Sequence, residues 1–137
     1  MAYVLLSQRM EKKMSASTQP NSVAWFEIPV SNMQAAKAFY GAVLQSEPKD
    51  ENMGPNETAV FSYAGGEGVS GHLYPGKPSA PGTGGTIHLY APAPLETSLE
   101  RLKAAGGKVV SDIVTIPAGR FAYCRDLDGN SIGLFTR

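Results

Sequence analysis

The stretch VAWFEIPVSNMQAAKAFYGAVL, residues 23–44, decides the fold, because two periodicities meet inside it. Over residues 23–30 β-branched and aromatic side chains alternate, so Trp25 and Glu27 share one face and Phe26, Ile28 and Val30 the other. From Met33 the spacing changes. Met33, Ala36, Phe39, Tyr40, Val43 and Leu44 fall on one stripe of a helix, and Ser31 or Asn32 can accept a hydrogen bond from that helix's first free N–H groups. The stretch reads as a strand with one polar-capable face running directly into an amphipathic helix.

Downstream, residues 58–63 and 69–74 form short strand-like runs separated by Gly65, Gly66 and Gly68, which suit a turn. Residues 75–85, PGKPSAPGTGG, can neither continue a ladder nor form a helix, and they divide the ordered chain near its middle. The plan then repeats. Residues 86–91 read as a strand, Leu95, Leu99 and Leu102 stand at helical spacing, and Gly106 and Gly107 end that helix. Strands follow over residues 109–116, 121–125 and 132–135, the last after the hairpin-forming pair Asp128-Gly129. Each half is strand, helix, then three strands. The expectation is one α+β domain over residues 23–137, made of two βαβββ modules (23–75 and 85–137) joined by a Pro/Gly-rich linker. Residues 1–22 read as a tail, with translation starting at Met1, Met10 or Met14.

Composition narrows the partners. The 137 residues are 42% hydrophobic without a long apolar run, which fits one domain, and twelve basic residues balance twelve acidic ones. No overall field draws such a chain to nucleic acid or to a membrane surface, so the expected partner is a small molecule or a second protein. A single cysteine, Cys124, excludes an internal disulfide and paired-thiolate zinc spacing, and suits a reducing cytoplasm. The N-terminal residues lack the apolar core of a secretory signal.

Each half has one apolar sheet face for its helix to cover, so the other faces must meet each other or a ligand. Two curved sheets joined at their edges leave a concave cleft, the expected functional address.

The segments FEIPVSNMQAAKAFYGAVL (26–44), SLERLKAAGGKVV (98–110) and FAYCRDLDGNSIGLF (121–135) resemble, in this order, the vicinal-oxygen-chelate superfamily of glyoxalases, bleomycin-resistance proteins and extradiol dioxygenases. The resemblance covers about residues 23–137. It implies a curved mixed sheet around a cleft, and a homodimer, since these proteins commonly pair modules to complete their sites. It also implies a divalent metal held by His, Glu or Gln on the first, fourth, fifth and eighth strands. Here the first of those positions falls on Trp25 and the last on Gly133, neither of which has a ligating side chain, while His72 and His88 fall at or near the other two. Standard glyoxalase I activity is therefore not expected.

The candidate cleft residues are Trp25, Glu27, His72, His88, Tyr90 and Phe121. Several chemistries stay open for them. The first is a metal-free cleft that binds a small, partly apolar molecule, with no cofactor. A second is a two-His, one-carboxylate centre of Glu27, His72 and His88 holding Fe, Ni, Zn or Mn and acting as a lyase, isomerase or dioxygenase. A third is acid–base catalysis by Glu27, its pKa raised by burial beside Trp25 and Phe26. An interaction module with its cleft filled by its own side chains would show no pocket. Cys124 reads as a small buried hydrophobe, and Asp126-x-Asp128-x-Asn130 as a hairpin turn, because the glycine and glutamate of a calcium loop are missing.

Overall fold

The computed structural model describes residues 21–53, 56–64 and 67–137. The tail over residues 1–20, its alternative starts at Met1, Met10 and Met14, and the turn glycines Gly65 and Gly66 lie outside the described residues. The first half forms β1 (Phe26–Val30), α1 (Met33–Leu44), β2 (Lys49–Met53), β3 (Asn56–Val60) and β4 (Gly71–Pro75). The second forms β5 (Ile87–Tyr90), α2 (Leu95–Ala104), β6 (Lys108–Val109), β7 (Val114–Ile116), β8 (Gly119–Arg125) and β9 (Ser131–Thr136).

These strands make two mixed sheets, ordered β1-β4-β3-β2 and β5-β9-β8-β6, with β7 pairing β8. In each, the first and last strands of the half run parallel, β1 with β4 and β5 with β9. Alternation does the rest. Ile28, Val30, Ala59 and Leu73 face α1, and Leu89, Ala122, Cys124, Ile132 and Leu134 face α2, forming one core. The helices also pack on each other. Asn32 is the N-cap of α1, its Oδ1 accepting from Ala35 N at 3.0 Å. Ser31 instead bonds Asp128 in the other half, through both its N–H and its hydroxyl.

Several sequence boundaries shift. β2, with the sequence KDENM, was illegible because it is a polar edge strand without apolar alternation; backbone pairing to β3 fixes it. The first strand begins at Phe26, so Trp25 precedes it, and residues 61–63 leave β3 rather than extending it. The run 109–116 is broken in two, because Ser111 turns its hydroxyl to accept from Tyr123 N at 2.8 Å, in place of a ladder bond.

The hairpin turn between β8 and β9 fastens the two halves together. Asp126, only 5% exposed, accepts at Oδ1 from the backbone N–H groups of Asp128 and Asn130, each at 2.9 Å. At Oδ2 it accepts from Asn130 Nδ2 at 2.9 Å and from the buried Tyr40 hydroxyl of α1 at 2.7 Å. Asn130 also donates to Pro29 O at the end of β1, at 2.9 Å. Burial, followed by the adjacent Asp126 charge, raises the Tyr40 pKa well above its ordinary value.

Cys124 is fully buried, and burial pushes its thiol up to about 11 from an ordinary 9.0. Below the ordinary value the folded and unfolded chains both hold the proton. Above it the unfolded chain releases the proton while the folded chain keeps it, so stability declines between pH 9.0 and about 11. Urea unfolding across that range is expected to show the decline, and Cys124→Ala to flatten the part due to the thiol. At pH 8 a thiol reagent should modify native protein only as fast as the protein unfolds.

Candidate functional site

An open cleft of about 630 Å³ lies between the halves. Its first wall comes from Phe26, Phe61, Tyr63 and Val69, and its second from β5, where Ile87, His88, Leu89 and Tyr90 line it. β5 is an edge strand, and Phe26 and Phe61 stand at an end of the first half's core face, so the cleft opens across the mouth of the core. Among the described residues the cleft is not filled by the chain's own side chains. A smaller hollow of about 290 Å³ adjoins it, sharing Thr86 and Ile87 and lined further by Glu27, Pro29, Ser79 and Asn130.

The expected cleft residues fall into two clusters. Trp25, Glu27 and His72 form the first, on the face of the β1-β4 pair away from α1, where the register sets Glu27 opposite His72. Trp25 Nε1 donates to His72 Nδ1 at 2.9 Å, and His72 Nε2 lies 3.1 Å from Glu27 Oε1. An indole N–H can only donate, so Nδ1 must be the acceptor and the ring proton sits on Nε2, donating to Glu27. Tyr63 and Tyr74 extend this row of rings, Tyr63 against Trp25 at 6.1 Å and Tyr74 against His72 at 6.2 Å.

His88, Tyr90 and Phe121 belong to the second cluster, on the corresponding face of the other sheet. There the equivalent register sets His88 opposite Gly133. The His88 ring lies over Gly133, in the space that a Cβ would take, and packs edge-on to Phe121 at 5.1 Å and Tyr123 at 5.6 Å. Tyr90 packs on Phe135, and Arg137 sits over its ring. Among the described residues no ring of one cluster lies against a ring of the other; Tyr63, His88 and Tyr90 bring the two to the shared cleft. Phe26 and Val69 were missed because their apolar character marked them only as core.

One expectation is corrected. Glu27 is exposed, its side chain 62% accessible, so the burial that the acid–base reading required is absent; Phe26 points to the opposite face. Glu27, His72 and His88 do not converge, and among the described residues no three His, Cys, Asp or Glu side chains form a group able to hold a metal. Both His72 nitrogens are engaged by Trp25 and Glu27, and His88 occupies the place where a ligand at 133 would stand.

The sequence profile of the family described as Glyoxalase/Bleomycin resistance protein/Dioxygenase superfamily matches residues 22–134. Among curated proteins, none matches the chain's sequence. Solved structures do. A glyoxalase/bleomycin resistance protein from Streptomyces sp. CB03234 is 27% identical, with a TM-score of 0.61 over 84% of this chain and 100% of that one. TnmS3, an antibiotic binding protein from the same organism, is 26% identical, with a TM-score of 0.58 over 85% of this chain and 97% of that one. The fosfomycin resistance protein FosX from Listeria monocytogenes, 16% identical, shares the fold with a TM-score of 0.62 over 87% of this chain and 93% of that one.

Proposed function

The chain belongs to the Glyoxalase/Bleomycin resistance protein/Dioxygenase superfamily, and from that premise we propose that it binds a small, partly apolar molecule in the cleft between its halves without a metal. The observation that carries this reading is the open cleft of about 630 Å³, walled by Phe26, Phe61, Tyr63, Val69, Ile87 and Tyr90. Its volume lies in the range of small-molecule sites, and apolar walls with few polar groups are their usual lining. The likeness to TnmS3, described as an antibiotic binding protein, supports a small-molecule ligand.

The neutral fluorophore N-phenyl-1-naphthylamine tests this. Its emission should rise saturably on titration with the protein, and Val69→Arg, which sets a charge on an exposed position of the apolar wall, should weaken binding at least about tenfold. No saturable rise, or an unchanged affinity in the variant, would refute the assignment of the cleft.

A homodimer is part of the same proposal. On the second sheet Tyr123, Val114 and Ile116 are 39%, 37% and 39% exposed and continue the face that carries Phe121. A second copy covering this apolar surface would remove it from water. Light scattering should give twice the chain mass of 14.5 kDa, and Val114→Glu with Ile116→Glu should return it to a single chain. A single-chain mass for the unaltered protein would overturn the dimer. A reducing cytoplasm fits the buried free thiol of Cys124. No helix among the described residues is long and apolar enough to cross a membrane.

A further inference from the structure

The apolar cleft and the smaller hollow beside it differ in chemistry. Thr86 and Ile87 line both, so a ligand seated in the first can reach into the second along β5. Among the described residues the cleft is lined by rings, aliphatic groups and the hydroxyls of Ser62, Ser70 and Thr86, without a lysine, arginine, aspartate or glutamate. The hollow is lined by hydroxyls, an amide and the linker glycines, with Glu27 as its one ionisable residue. A single carboxylate therefore stands at the polar end of an otherwise uncharged pair of compartments.

That carboxylate is held. His72, only 7% exposed, fixes Glu27 Oε1 through Nε2, and is itself fixed by Trp25 at Nδ1. Among the described residues Glu27 makes no contact with a lysine or arginine. The Trp25 ring, with Tyr63 edge-on to it, lies on the same face. An exposed carboxylate at the rim of an apolar cleft suits a positively charged nitrogen, which gains from the negative charge.

We infer that the ligand carries a protonated amine, bound at Glu27, while its apolar body fills the cleft. This rests on the cleft assignment above and specifies the ligand class within it: a cationic amphiphile with a rigid apolar part and an ammonium group a few bonds away. Glu27 supplies the counter-charge, His72 orients it, and the hydroxyl-rich walls of Ser79 and Thr83 leave the ammonium partly hydrated.

Isothermal titration of the full chain with three matched probes separates the two claims. They are 2-naphthylmethylamine, cationic at pH 7, the neutral 2-naphthalenemethanol and the anionic 2-naphthoate. The amine should bind about tenfold more tightly than the alcohol, and the carboxylate more weakly than either. Glu27→Gln keeps an acceptor for His72 and removes the charge, so the amine-to-alcohol affinity ratio should fall to about unity. Glu27→Lys should reverse the order and favour 2-naphthoate. Binding of the alcohol without preference for the amine, or a preference that survives Glu27→Gln, overturns the ammonium subsite and leaves the cleft assignment standing. Failure of all three probes to bind overturns both.

Discussion

Asp126→Ala is expected to destabilise the protein by about 3–5 kcal/mol, more than any other single polar substitution in the chain, because a buried carboxylate bonded to several donors leaves all of them unpaired when removed. Tyr40 is 1% exposed, and its hydroxyl and the Asn130 amide both lose their acceptor in a site that water does not readily reach. The backbone N–H groups of Asp128 and Asn130 lose theirs too, which loosens the turn that also grips Pro29 and Ser31. The damage falls on the joint between the halves, so the cleft should widen as well as the fold weaken. Urea unfolding followed by the emission of Trp25, the chain's only tryptophan, reads the effect. Asp126→Asn, which keeps one acceptor oxygen, should lie between the two. A loss below about 1 kcal/mol for the alanine variant would mean that the turn does not join the halves.

Gly133→Glu is expected to destabilise by about 1–3 kcal/mol, the cost typical of forcing a side chain into filled space. A Cβ at 133 would fall on the His88 ring, with Cε1 at 2.5 Å and Cγ at 2.9 Å, and the ring is held between Phe121 and Tyr123. The imidazole must swing off its platform, and since His88 lines the cleft, N-phenyl-1-naphthylamine should bind more weakly. Although the substitution supplies a carboxylate where the superfamily resemblance implies a metal ligand, it should not by itself create metal affinity, because His72 remains bonded to Trp25 and Glu27. Tight binding of zinc or nickel by Gly133→Glu would contradict this account of the site.

Residues 23–44 were legible because a period of two gives way to one of 3.6 within a single stretch, and the same change recurs in the second half. β2 was not, since KDENM owes its strand to pairing with β3 rather than to its own side chains. Trp25 and Glu27 share a face because alternation fixes the face of a strand residue, whereas His72 enters only through the fourth-strand position that the superfamily resemblance implies. Their mutual hydrogen bonds depend on the β1-β4 register, which no local pattern carries. The exposure of Glu27 was missed for a related reason: its aromatic neighbour Phe26 points to the opposite face. The role of Asp126 was hidden inside a sound turn motif, since its partner Tyr40 belongs to the other half. The cleft was expected between the two polar-capable faces, yet it opens at an end of the first half's core, so Phe26 and Phe61 line it alongside His88 and Tyr90.

Metal-independent binding in the cleft is tested most directly by titrating gently purified protein with N-phenyl-1-naphthylamine in the presence of a strong chelator, then repeating the titration with iron, nickel, zinc or manganese added back. The predicted result is one saturable site per chain with the same affinity throughout. Binding that is lost in chelator and restored by a metal would contradict it, and would show that the histidines and Glu27 rearrange into a metal centre.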